Sequence, residues 1–436
     1  MNNFNSLKKN LNHCIKILDN SRSLFVENPD TDFIRNRKLD FSTVINNIIS
    51  MEAGSLKDEL LKLNDYSIDT PTASAFIQAR NKIKVDAFKS LFNNFNKKTS
   101  KLKSYKGYRL LAVDGSEEPI DNTFRDKETT VRNCNHLGNS YSAFHINASY
   151  DLLECTYDDI IIQGEAEKNE NGAFNEIVDR YNGPKAIFIA DRNYESYNSF
   201  EHVVHSGNKY LIRVKDITSS NNITRSLGPF PDTDEFDIDV SRILTIKQTN
   251  EIRKNPQIYK FIPANQRFDY LSKDKPFYDF QCRTVRIKIT EDTYECIITS
   301  LDRDEFSMED IKELYNKRWG IETSFRQVKY AIGLHALHSK KRKLIKQEIY
   351  ARLLLYNFCQ RIVQDIKIVK KKTKYTYQVN FTKASHIIRR FLNKKTSGKP
   401  PVENLIAKEI LPVRPGRTNT RHVSAKKVVC FNYRFD

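Results

Sequence analysis

The 436-residue sequence predicts a mixed α/β chain, with an N-terminal helical domain and a sheet flanked by helices that is interrupted by a β-rich insertion. Three observations carry this. Before residue 100, apolar residues recur at helical spacing, first Phe41, Val44, Ile45, Ile48 and Ile49, then Ala75, Phe76, Ala79, Ile83 and Phe88. Short continuous apolar runs follow at 109–113 and 186–190, the pattern of strands buried on both faces. Between about 216 and 300 the runs become alternating, the mark of half-buried antiparallel strands.

Taken in order, Thr72 or Ser74 is placed to cap the second N-terminal helix, and Gln78, Arg80, Lys82 and Lys84 would line its polar face. A helix-turn-helix entering a major groove and a plain bundle with surface lysines both fit that region. Lys97, Lys98, Lys101, Lys103 and Lys106 form a basic connector. The strand at 109–113 then ends on Asp114-Gly115-Ser116, strands at 142–149 and 159–163 follow, 173–181 is an amphipathic helix, and the strand at 186–190 ends on Asp191-Arg192. Both aspartates are therefore expected just past the carboxyl end of a strand, where loops carry chemistry in such sheets.

A strand at 210–215 precedes the alternating segments 236–240, 244–246, 284–289 and 296–298. Ser307 with Asp310 forms a capping box, and Gly320 should cost about 1 kcal/mol inside the helical region that follows, so a break or a close approach of backbone to ligand is expected there. A long helix covers 346–363. The tail is basic, with Lys370-Lys371-Lys372, Arg389-Arg390, Lys394-Lys395 and Lys426-Lys427, and Arg414-Pro-Gly-Arg417 and Phe431-Asn-Tyr-Arg434 suggest an extended arm. The domains expected are 1–100, helical and DNA-binding; 101–215, the first part of the catalytic core; 216–300, the insertion; 301–366, the second part of the core; and 367–436, a basic C-terminal region.

With 72 Lys and Arg against 54 Asp and Glu, the formal charge of +18 favours a polyanionic partner, nucleic acid first. No stretch approaches the ~18 consecutive apolar residues of a membrane span, and no apolar run follows the first ten residues, so a cytoplasmic location is expected. Seven widely spaced cysteines without a Cys-x-x-Cys read as reduced thiols. Cys134-Asn-His136 and His335-x-x-His338 lack a second half at zinc-like spacing. Neither G-x-x-x-x-G-K-[ST] nor G-x-G-x-x-G occurs, so no nucleotide cofactor is signalled.

Tyr315, Arg318, Glu322 and Lys329 stand at offsets 0, 3, 7 and 14. At about 100° per residue they fall within roughly 60° of helix circumference, a carboxylate with two cations and a phenol on one stripe. The bland reading is a solvated helix with pairs such as Arg318 to Glu322 and Glu322 to Arg326. Asp114, Asp191 and Glu322 gathered together would repel unless divalent cations drew them in, and an all-oxygen set suits two Mg²⁺, or Mn²⁺ as substitute, about 3.5–4 Å apart.

Asp114-Gly-Ser, the stretch from Tyr150-Asp-Leu-Leu through Ile162-Gln163-Gly164, Asp191-Arg-Asn-Tyr194, Tyr210-Leu-Ile-Arg-Val-Lys215 and the Tyr315/Arg318/Glu322/Lys329 signature resemble the DDE transposases of the insertion sequence 4 family. The resemblance runs over about 100–365. It implies a ribonuclease H-like core with an insertion between the second Asp and the Glu. Asp114, Asp191 and Glu322 would be the catalytic metal ligands of cut-and-paste transposition, carried out by a homodimer holding two inverted-repeat ends and then joining them to target DNA. It further implies a hairpin intermediate and places Tyr315, Arg318, Lys329 and Arg192 on DNA. Arg326, one turn beyond Glu322, is added from helical geometry alone. The resemblance also implies a stacking tryptophan in the insertion, but the one tryptophan here, Trp319, lies in the signature, which leaves Tyr270, Phe277 or Tyr278 for that place. Asn193 stands where many relatives carry glycine.

Other residues have plainer readings. Glu117-Glu118 and Asp158-Asp159 are expected at solvated strand margins, Trp319 in the core, and His145 and His205 as ordinary core or surface histidines. The alternative to an active enzyme is a relative that binds DNA without cutting it.

Overall fold

The computed structural model describes residues 3–35, 37–122, 126–132, 140–219, 222–231, 233–291, 293–368, 375–392 and 398–413. Cys134-Asn-His136, Lys370-Lys371-Lys372, Lys394-Lys395, Lys426-Lys427 and the two segments assigned to an extended arm lie outside the described residues. Helices α1 (Asn3–Asn20), α2 (Phe41–Ser50), α3 (Leu56–Leu63), α4 (Ala73–Asn81) and α5 (Val85–Thr99) come first. Side-chain oxygens of Asp40, Ser55 and Thr72 cap α2, α3 and α4 by accepting backbone N–H bonds that the first turn leaves unmade. The apolar run 75–88, expected as one helix, is two. Between α4 and α5 the chain is extended, and Ile83 pairs with Val26 through bonds from Glu27 N to Lys82 O (2.8 Å) and Lys84 N to Phe25 O (2.8 Å).

The sheet is built from β1 (Arg109–Ile120), β2 (Thr130–Val131), β3 (Tyr141–Asp151), β4 (Thr156–Gly164), β5 (Ala186–Ala190), β6 (Lys209–Val214), β7 (Phe236–Thr245), β8 (Tyr259–Phe261), β9 (Phe277–Lys288) and β10 (Tyr294–Thr299). Helices α6 (Glu170–Arg180) and α7 (Tyr197–His205) lie on either side of β5 in sequence, and α8 (Ile223–Leu227) and α9 (Asn250–Lys254) flank β7. Strands β4, β3 and β1 pair antiparallel in that order, and β1, β5 and β6 pair parallel. This is the ribonuclease H-like arrangement. The insertion forms no sheet of its own. Strand β10 pairs antiparallel with β6 and is followed by β9, β7 and β8, so the sheet runs on to ten strands. That pairing satisfies the edge of β6, which would otherwise leave a row of backbone groups unmade.

Neighbouring residues of β1 show the layering. Leu111 and Val113 join a core with α6 and α7, while Ala112 faces a second core on the opposite side. On that second side lie α10 (Met308–Lys317), α11 (Trp319–Arg326) and α12 (Arg342–Val363). Helix α10 starts on the expected capping box, Ser307 and Asp310 each accepting from the other's backbone. Helix α12 is buried along nearly its whole length, with the sheet on one flank and the N-terminal helices on the other.

The first hundred residues therefore share one core with α12. Arg80, expected on a polar face, is 1% exposed; it donates to Gln347 Oε1 (3.0 Å), Glu348 Oε1 (2.8 Å) and Leu344 O on α12. Arg352 returns bonds to Met51 O and Glu52 O, and Asn357 joins Asn96 to the backbone of Tyr157 on β4. Nine residues, 64–72, separate α3 from α4, and three, 82–84, separate α4 from α5. The basic connector is also drawn into the fold: Lys101 pairs with Asp365, and Lys106 with Asp310 (2.9 Å).

Helices α13 (Phe381–Leu392) and α14 (Val402–Lys408) pack back on the same core, and the short strands β11 (Tyr377–Val379) and β12 (Ile410–Pro412) pair beside them. Arg389, read as part of a basic tail, is buried and donates to Ile332 O. No helix among the described residues is long and apolar enough to cross a membrane.

Because removing one partner strands a buried charge, Arg80→Ala is expected to cost about 3–5 kcal/mol. Lys57→Ala, on the exposed face of α3, should change stability by less than about 0.5 kcal/mol. Guanidinium unfolding of both variants checks the contrast, and equal midpoints would show that the Arg80 cluster does not hold α4 to α12.

Candidate active site

Parallel pairing sets Val113 opposite Ala190, so Asp114 and Asp191 are the next residues along adjacent strands. Asp191 lies, as expected, just past the end of β5, where it caps a short 3-10 turn and accepts from Asn193 N (2.8 Å). Asn193 has an ordinary negative φ there, since the positive-φ residues of the chain do not include it. Asp114 does not lie past a strand end. Strand β1 runs on to Ile120 because β3 keeps pairing on its other side, with Asp114 opposite Ala148. The acid thus sits where β1 outruns β5.

Gly115 makes no turn either. A Cβ there would stand 2.3 Å from His145 Nε2, so glycine is required by the imidazole packed against the strand. His145 is buried, within 3.1 Å of both Glu165 Oε2 and Glu170 Oε1. Burial opposes its protonation, but the two carboxylates hold its pKa above the ordinary value. It is a core histidine, though one that packs beside the first acid.

The stripe on α10 and α11 is less regular than an ideal helix. The helix breaks at Arg318, two residues before Gly320, and a π-helical turn covers Gln327–Ala331. Gly320 answers a close approach of protein, not ligand, since a Cβ would lie 3.0 Å from Leu152 Cδ2. Tyr315 and Arg318 are buried, while the Glu322 side chain keeps about a third of its surface exposed. The Arg318 guanidinium donates to Glu322 Oε1 (2.7 Å) and lies over the rings of Tyr315 (5.6 Å) and Trp319 (5.1 Å). Burial raises the Tyr315 pKa, against the pull of Arg318 and Arg213. Lys329 donates to Glu117 O (2.6 Å), and burial lowers its pKa, with Glu118 and Glu117 opposing. Arg192 and Arg326 are exposed.

Asp114 feels all of this. Its pKa is pushed up to about 7, first by burial, then by the charge of Asp191, with Glu322 adding to the rise and Arg318 and the Gly115 N–H opposing it. Three carboxylates thus meet electrostatically at one place. Among the described residues, no group of three His, Cys, Asp or Glu is already closed round a metal position. Glu322 is instead engaged by Arg318.

Several readings need correction. Trp319 is 54% exposed rather than in the core, because Ile321 and Phe325 take the buried side of α11. Glu118 is fully buried on the same face of β1 as Asp114 and accepts or shares a proton with His335 Nδ1 (2.8 Å). Asp158 pairs with Arg109 (2.8 Å) and Asp159 with Arg180 (2.5 Å), so these are ion-paired positions rather than free margins. Of the aromatics considered for stacking, Tyr270 lies flat on His205 (4.1 Å) and Tyr278 is bonded to Glu201, whereas Phe277 is exposed beside Lys247. His205 is a surface residue bonded to Tyr278 (3.0 Å). Sequence reasoning missed Arg213 facing Tyr315, and the Glu118–His335 pair; both join residues far apart in the chain and leave no local signal.

Compared with known proteins, residues 105–358, more than half of the chain, match the family model for the transposase DDE domain. Two curated relatives are a putative transposase InsL for insertion sequence element IS186A of Escherichia coli (strain K12) and a transposase for insertion sequence element IS421 of Escherichia coli. Each is 38% identical over 68 residues, 16% of this chain and 18% of the relative, so the match spans less than a fifth of those proteins. Among solved structures, the piggyBac transposase synaptic complex with hairpin DNA aligns at 10% identity and a TM-score of 0.45, covering 93% of this chain and 86% of that one.

The raised pKa of Asp114 gives a signed expectation. A carboxyl whose folded pKa lies above its unfolded value loses folding stability as pH rises from about 4 to about 7. Without metal, Asp114→Asn should therefore melt higher than the parent at pH 8, with the difference closing by pH 4. Melting curves in chelator across that range check this, and a pH-independent difference would mean that Asp114 is not held among like charges.

Proposed function

Since this chain belongs to the transposase DDE domain family, we propose that it is the DNA transposase of an insertion sequence, cutting and rejoining phosphodiester bonds at the ends of its element. The observation that carries the proposal is the convergence of Asp114 within β1, Asp191 past the end of β5 and Glu322 on α11, with Asp114 pushed up to about 7 and Arg318 beside them. Asp114, Asp191 and Glu322 are the proposed catalytic acids. They offer only carboxylate oxygens, and a cation placed among them would relieve the repulsion that Asp114 feels, so the donor set fits two Mg²⁺ or Mn²⁺. Bound there, such ions supply Lewis acidity at the scissile phosphate.

The chain's own residues do the rest. Arg318 holds Glu322 until a phosphate competes for the guanidinium, which frees the carboxylate. Lys329 on its turn, Arg192 beside Asp191, and exposed Arg326 neutralise phosphate oxygens around that point, with Tyr315 buttressing Arg318 from beneath. The substrates are double-stranded DNA, first the inverted-repeat ends and then the target, with two copies of the chain acting as a homodimer. The N-terminal helices are proposed to hold the element end. Exposed Trp319, next to the acids, is better placed than the insertion aromatics to meet an unstacked base.

A second reading, a relative that binds DNA but no longer cuts, is favoured by the pairing of Glu322 with Arg318. Incubating the protein with its element ends and Mn²⁺ decides between them, since DNA that is bound tightly yet stays intact supports the second. In the active reading, Glu322→Ala leaves end binding within a few-fold and abolishes cleavage; cleavage at a near-normal rate would remove Glu322 from the catalytic set. Lys329→Ala should lower the slope of log affinity against log salt by about 0.9, the share of one phosphate contact, and an unchanged slope would assign Lys329 to structure alone.

A further inference from the structure

Beyond the acids, on the face of the sheet away from α11 and α12, two adjoining hollows of about 300 and 730 Å³ open between α7, α8 and the β7–β8 edge. Arg192, Lys215 and Lys260 line the first; Arg225, Arg253 and the same Lys260 line the second. Glu195 is the single carboxylate among the lining residues, and its oxygens already accept from Lys215 N (3.0 Å) and Ile223 N (2.5 Å). This channel of two hollows is thus lined by five cations against one carboxylate. Burial lowers the pKa of Lys260, whose ammonium would gain from an anion placed beside it.

Its position says which anion. The channel begins at Arg192, directly after Asp191, so a chain of phosphates lying in it would be continuous with one held at the acids. The signature helix α11 and the N-terminal helices lie on the opposite face of the sheet. DNA crossing the end of β5 thus has one arm toward those helices and the other toward the channel. Resting on the function proposed above, we infer that the channel carries the phosphodiester backbone of the donor DNA beyond the cleavage point, while the element side of the scissile bond lies over α11 and the N-terminal helices. Tyr259 and Phe261 in the wider hollow give the sugar edges apolar surface.

The test uses the full chain in chelator and two duplexes, one running through an element end into the adjoining chromosomal DNA, the other stopping at the element boundary. Arg225→Ala/Arg253→Ala changes two exposed side chains outside the acidic centre. On the continuous duplex it should lower the slope of log affinity against log salt by about 1.8, two phosphate contacts' worth, and on the terminated duplex by nothing. Lys260→Gln should show about half that change, again on the continuous duplex alone. Unaltered slopes on the continuous duplex, or equal losses on both, would overturn the inference, the second outcome placing the element end in the channel. Parent protein given Mn²⁺ on the continuous duplex separates the two proposals. Cutting with unaltered slopes removes only the channel; no cutting, with the expected slopes, removes the catalytic reading and leaves the channel standing.

Discussion

The register of β1 against β5 is the constraint on which the site depends. Parallel pairing that ends at Val113 and Ala190 leaves Asp114 and Asp191 side by side at the point where one strand stops and the other continues. Strands this deeply buried cannot slip by a residue without turning apolar side chains to the wrong face. The two acids are therefore held close at a cost that the rest of the core covers, and burial together with the charge of Asp191 raises the pKa of Asp114. Glu322 reaches the same place from a helix that Gly320 allows to lie almost in contact with Leu152.

The cations divide into two populations. Arg80, Arg352, Arg361 and Arg389 are buried and answered by carboxylates or carbonyls, so they serve the fold and attract nothing from outside. Arg192, Arg225, Arg253 and Arg326 remain exposed, on the surface round the acids and along the insertion. A net charge of +18 thus overstates the charge open to a polyanion, and the direction of that charge matters more than its size.

Much of this was legible in the sequence. The run at 186–190 is β5 residue for residue, and the Ser307 capping box and Thr72 cap form as their spacing requires, because local hydrogen bonds and continuous apolar runs are properties of neighbours in the chain. The failures share one cause. Asp114-Gly115 reads as a turn by local preference, yet the glycine answers His145 from another strand. Arg80 fits a polar helix face, and only Glu348, 268 residues away, explains its burial. Trp319 is excluded from the core because Ile321 and Phe325 hold the buried side of α11 against residues far away in the chain. Glu118 looked solvated until His335 from a distant turn was brought to it.

Helix α12 carries a last consequence. Its outer flank is apolar and covered by residues from the first hundred, with Arg80, Met51 and Asn96 as the points of attachment. The N-terminal helices and the DDE domain are then not interchangeable modules joined by a tether. An ancestor that exchanged its leading segment by recombination would have exposed the apolar flank of α12, so the first hundred residues are free to change mainly by point substitution, one surface position at a time.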